Sequence, residues 1–243
     1  MTGIIDFVRD RKKPILAIAM AVVVLAACSG YVAYFGYYLP AVEEREAMER
    51  AAHEYYMNKL ALFEEENGLY DDYEVDVAFL GDSLTDGCDL STYYPDYVTA
   101  NRGIGGDTTL KLEDRLDVSL YQLKPKVAVL LIGANNFDTM LSNYEDIIVG
   151  IKENVPRTEL VICSLTSMGG EHWGKNNQKA AYNNVVISKL AAKHGCPFVD
   201  LYCPLFDESI GEIHPEYTTD GGHLTHQGYL VVSEAINPVI SEL

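Results

Sequence analysis

Val75-Asp76-Val77-Ala78-Phe79-Leu80-Gly81-Asp82-Ser83-Leu84-Thr85 decides how this chain winds. Residues 75–80 form a short apolar run of strand length, and the following Gly-Asp-Ser ends it. A run of this kind reads as a strand buried on both faces. Working outward, similar runs recur at 97–101, 127–132, 159–165 and 197–201. Between them, 109–123, 142–154 and 176–194 read as helices, with a last helix in 225–243. Strands alternating with amphipathic helices predict an α/β domain, a three-layer, flavodoxin-like parallel sheet of about five strands with helices on both faces.

Parallel sheets of this kind bind ligands beyond the carboxyl ends of their strands. Ser83 follows the first strand, Gly105 and Gly106 the second, and Gly133-Ala134-Asn135-Asn136 the third. Asp220 and His223 follow the fifth after a long loop, so every chemically interesting group falls on one edge. A serine hydroxyl needs a base to take its proton, and the base needs a third group to orient it. Asp220 and His223 are three residues apart, a spacing that one turn closes.

These blocks, in this order, resemble the SGNH (GDSL-type) hydrolases over residues 73–243. Gly81-Asp82-Ser83-Leu84-Thr85 matches the nucleophile block and Asn101-Arg102-Gly103-Ile104-Gly105-Gly106-Asp107-Thr108 the second. Gly133-Ala134-Asn135-Asn136 matches the third, and Asp220-Gly221-Gly222-His223-Leu224 the block with the acid and base. Asn136 departs from the more usual aspartate. The resemblance implies a serine esterase with Ser83, Asp220 and His223 catalytic. It also implies an oxyanion hole from the Ser83 and Gly106 N–H groups and the Asn135 amide. No metal or organic cofactor is needed for that chemistry.

His226 is a rival base, and with His214 and Asp220 it composes an alternative metal set, since imidazole and carboxylate ligate zinc. That spacing matches no standard metal motif and leaves Ser83 and Asn135 without roles. The aromatics Tyr93, Tyr94, Tyr97, Phe137, Trp173 and Tyr217 fall in or near active-edge loops, where local packing is as good a reading as binding. The short intervals between blocks favour an open site: a small, acetyl-like acyl group on a glycan, with lysophospholipid or thioester hydrolysis as the alternative. A non-catalytic binding module on the same fold is a third reading, opposed by the intact serine, histidine and carboxylate.

The first 72 residues read differently. Residues 14–39 carry no charge, long enough for a transmembrane anchor. Arg9, Arg11, Lys12 and Lys13 precede the span and Glu43, Glu44 and Glu46 follow it, so 1–13 is expected in the cytoplasm and the domain outside. Leu25-Ala26-Ala27-Cys28 offers the alternative of a lipoprotein signal ending before a lipid-modified Cys28. Residues 40–72 read as a helical stalk. Across the 243 residues the net charge is −18, which argues against nucleic acid as a partner. The partners expected are an acyl-ester or acylated glycan substrate and the membrane. Cys196 and Cys203 are candidates for a disulfide outside the cytoplasm, Cys163 reads as a buried hydrophobe, and Cys88 lies near the serine.

Overall fold

A computed structural model describes Met20 and residues 22–243. The basic leader 1–13 and residues 14–19 and 21 of the apolar span lie outside the described residues. The chain divides into two units, Met1–Met57 and Asn58–Leu243.

Val22–Asn67 is a helix long and apolar enough, by length and composition, to cross a membrane, a test that a signal sequence also passes. It runs through Cys28 without a break and contains a π-helical turn at Tyr34–Tyr38. Its charged portion is α1, Leu39–Asn67. The last turns of α1, from Asn58 onward, belong to the second unit.

The second unit is built on five parallel strands: β1 Val77–Gly81, β2 Thr99–Gly103, β3 Val127–Leu131, β4 Glu159–Cys163 and β5 Phe198–Val199. Their spatial order is β2-β1-β3-β4-β5, so the chain reverses direction across the sheet beside β1. Successive side chains of a strand point to opposite faces, and the core divides accordingly. Ala78, Leu80, Ala128, Leu130, Leu160 and Ile162 pack with Leu112, Ile148 and Ile187. Val77, Phe79, Val127, Val129, Val161 and Val199 pack with Leu84, Leu205, Val232 and Ile236. The first face is covered by α4 Thr109–Asp114, α5 Tyr144–Asn154 and α7 Asn177–His194, and the second chiefly by α9 His226–Ile240.

Local differences from the sequence reading have local causes. The helix expected over 109–123 is α4 followed by a π-helical turn, Asp117–Tyr121. Four short helices, α2 Ser83–Asp86, α3 Leu90–Tyr93, α6 Gly170–Trp173 and α8 Tyr202–Leu205, are too brief to leave a periodic pattern. A small antiparallel hairpin, β6 Phe206–Asp207 with β7 Glu212–Ile213, precedes the loop of Asp220 and His223. Cys196 and Cys203 are not bonded: both thiols are free, the first buried and the second exposed. Cys163 is buried, and burial pushes its thiol up to about 12.

Candidate active site

The strand β1 ends at Gly81, and the chain turns at once into α2, whose first residue is Ser83. Asp82 makes that turn by capping α2, its Oδ1 accepting the Leu84 N–H at 3.1 Å. From the far end of the chain, the Tyr229 hydroxyl donates to the Leu84 carbonyl at 2.9 Å. From the neighbouring strand, the Asn101 amide donates to the Thr85 carbonyl at 2.7 Å. The serine is therefore held by groups from β2 and α9, and its position does not depend on α2 alone.

His223 reaches this serine across 140 residues of sequence, with Nε2 3.1 Å from Ser83 Oγ. Its Nδ1 lies 2.7 Å from Asp220 Oδ2. The other carboxylate oxygen accepts the backbone N–H groups of Gly222 at 2.9 Å and His223 at 2.8 Å. Partial burial opposes the Asp220 charge, but these N–H groups and the imidazole outweigh it and hold the carboxyl at about 2. An ionised Asp220 accepts a hydrogen bond from Nδ1–H, which leaves Nε2 free to take the serine's proton.

Gly106 adopts φ +77° on an exposed loop where a side chain is rarely tolerated. The next residue ties this loop to the third block: Asn135 Nδ2 donates to the Asp107 carbonyl at 2.9 Å, one of its two amide protons. Asp107 is fixed in turn by Arg115, whose Nε lies 2.7 Å from Oδ2. The same guanidinium donates to the Gly81 carbonyl at 3.0 Å. One buried arginine thus joins the strand end before Ser83 to the loop of Gly106 and, through Asp107, to Asn135.

In the sequence Arg115 is a charged residue in a helical stretch with nothing nearby to mark it as buried, and the end of α1 reads only as part of a stalk. Arg102 is fully buried and pairs with Glu66, donates to Asn67 Oδ1 at 3.1 Å, and lies 4.8 Å from the Phe63 ring. Lys59 pairs with Asp86 at 2.6 Å, and Asp86 accepts the Gly105 N–H at 3.1 Å. The last turns of the expected stalk therefore support the loops of the site.

The rival groups are engaged elsewhere. His226 Nδ1 lies 2.8 Å from the Tyr93 hydroxyl, and His214 Nδ1 accepts the Glu216 N–H at 3.3 Å. Among the described residues no three His, Cys, Asp or Glu side chains are grouped to hold a metal ion. Tyr94 is buried against Phe79, Tyr93 makes tilted ring contacts with His226 and Tyr229, and Tyr217 lies beside His214. Cys88 is half-buried, and burial and Asp89 push its thiol up to about 12.

The model of the GDSL-like Lipase/Acylhydrolase family matches residues 79–231. The chain belongs to this family. Platelet-activating factor acetylhydrolase IB subunit alpha2 of Rattus norvegicus is 27% identical over 181 residues, covering 71% of this chain and 79% of that one. A Streptococcus pneumonia structure described as a platelet activating factor superposes with a TM-score of 0.74 at 25% identity, covering 82% of this chain and 99% of that one. A GDSL-like lipase from Bacteroides thetaiotaomicron shares the fold, with a TM-score of 0.67 at 23% identity over 75% of this chain and 97% of its own. Ester hydrolysis is therefore the reaction class that this GDSL acylhydrolase's family implies.

Proposed function

We propose that this protein is a membrane-anchored serine esterase that removes short, acetyl-like acyl groups from glycans outside the cytoplasm. The continuous chain of contacts from Ser83 Oγ through His223 to Asp220, 3.1 Å and 2.7 Å, carries the reading. Ser83 Oγ attacks the ester carbonyl as His223 Nε2 takes its proton, and the carbonyl oxygen becomes an oxyanion. The Ser83 and Gly106 N–H groups and the remaining Asn135 amide proton stabilise that charge. Collapse of the intermediate breaks the bond to the alcohol, which leaves with the proton returned by His223. Water then repeats the sequence on the acyl-serine, releasing the acid and restoring Ser83.

Two features support a small acyl group on a sugar carrier. His223 and Asp220 are 45% and 47% exposed, an open arrangement that suits a small acyl group on a bulky alcohol. The acetylhydrolase name of the curated relatives points to the same acyl size. The uncleaved anchor is favoured by the aromatic residues Tyr31, Tyr34, Phe35, Tyr37 and Tyr38, exposed where an interfacial belt belongs. A lipid-modified Cys28 is the alternative, and the intact mass of the mature chain separates the two.

The full chain in detergent should react with a fluorophosphonate probe and should hydrolyse acetyl faster than octanoyl esters. Equal labelling of Ser83→Ala would remove the serine mechanism and leave a binding module. A preference for octanoyl would replace the glycan substrate with a lysophospholipid or thioester.

A further inference from the structure

We infer that Trp173 is the specificity-determining wall for the alcohol half of the ester, and that it selects a sugar alcohol. The inference rests on the serine esterase reading above. Trp173 is the single tryptophan of the chain and ends α6. Its ring centroid lies 6.0 Å from that of His223, with the planes at 86°.

The loop that carries Trp173 is held from three directions. Gly169 N–H donates to the Gly221 carbonyl at 2.8 Å, inside the turn that carries the acid and base. Gly170 N–H donates to Glu212 Oε2 at 2.8 Å, which ties the loop to the small hairpin. The indole itself lies over Gly222, where a Cβ would come within 2.6 Å of three ring atoms. Only glycine at 222 leaves the ring that place. A half-buried aromatic held this firmly beside the base is a wall of the site, and nothing in the transfer of the serine proton uses it.

Its position selects which half of the substrate it touches. His223 returns its proton to the departing alcohol, so that oxygen must come within about 2.6–3.2 Å of Nε2. Whatever the oxygen carries then extends along the flank of the imidazole, where Trp173 stands. An indole presents an apolar face and one polar N–H. A pyranose matches this with C–H groups on its face and hydroxyls at its rim, and Glu171 and His172 are exposed beside the ring to meet those hydroxyls.

The acyl-enzyme gives the test, because the alcohol has left before the second step. Full-length protein is assayed on ethyl acetate and on a mono-O-acetylated methyl glucoside, which deliver the same acetyl group to Ser83. Trp173→Ala should lower kcat/KM on the glucoside about 3- to 10-fold more than on ethyl acetate. Trp173→Phe should restore most of the loss, and hydrolysis of the preformed acetyl-enzyme should keep its wild-type rate. Trp173→Leu, which retains apolar bulk without a π face, carries the comparison if the alanine variant does not fold. Equal losses on both esters with slowed deacylation would make Trp173 a support for His223 and overturn the inference. So would an undiminished rate on the glucoside, or a wild-type enzyme that prefers ethyl acetate. A wild type that hydrolyses neither ester and escapes fluorophosphonate labelling would overturn the esterase reading as well.

Discussion

The two halves of the candidate site are built on opposite plans. The bed of the serine and the oxyanion loops is dry and long-range: Arg115 and Asp107 are each 1% exposed, and Arg102 is supported from α1. The turn of Asp220 and His223 is nearly half-exposed, 45% at His223 and 47% at Asp220, and is held largely from within, with one tie from outside where Gly169 N–H meets the Gly221 carbonyl. Thr218 Oγ1 donates to the His223 carbonyl at 2.8 Å and accepts the Gly221 N–H at 2.8 Å. Donors for a developing charge must be fixed before the reaction, which buried charge pairs accomplish. A base that exchanges protons with water and a departing alcohol must remain in contact with both, which an exposed turn allows.

Removing chemistry from either half should have the largest effect. Ser83→Ala or His223→Ala should lower kcat on an acetyl ester by about 10⁶, with the melting temperature little changed. His226→Ala should keep most of the rate, because that ring is engaged with Tyr93. A histidine-226 variant as inactive as the histidine-223 variant would exchange the two roles.

Next come changes to the dry half, which should cost stability before they cost chemistry. Arg115→Met leaves Asp107 buried without its cation, a loss of about 3–5 kcal/mol for a broken buried pair. Urea denaturation measures it. The same logic applies to Arg102 and Glu66, discounted because Glu66 is 48% exposed. A chain beginning at Asn58 should therefore melt higher than one beginning at Tyr73. Equal melting temperatures would return α1 to the role of a plain stalk.

Asn135→Ala should act in the reverse sense, lowering kcat about 10²–10³ with little change in melting temperature. Its side chain is exposed and donates one bond to the Asp107 carbonyl. A smaller loss would remove the amide from the oxyanion hole.

The same division explains what could be read in the sequence. The strand before Ser83 announces itself by composition, and the Asp220–His223 spacing predicts a turn because the contact is local. The bed is another matter. Arg102 lies on the edge strand β2, where a charged residue ordinarily faces water, and its partners are about 35 residues upstream in a segment that reads as linker. Arg115 meets Gly81 across 34 residues. No periodicity encodes a pairing between distant charged residues, so the support of the oxyanion loops became visible only in the folded chain. Trp173 reads in the sequence as one of six loop aromatics, and only its contact with His223 separates it from the others.

Asp82 offers the smallest and finest test, because it is a carboxyl whose charge is opposed by burial. It is 2% exposed, and burial, with the charge of Asp107 adding to it, pushes the carboxyl up to about 6. A carboxyl whose folded pKa exceeds its unfolded value favours the folded state most when protonated. That contribution is complete below about pH 4 and is lost as the pH rises through about 6. Asp82→Asn keeps an oxygen for the Leu84 N–H and removes the charge. Its melting temperature should exceed that of the wild type by a few degrees at about pH 8 and approach it at about pH 4. A pH-independent difference would mean that Asp82 stays charged in both states at little cost.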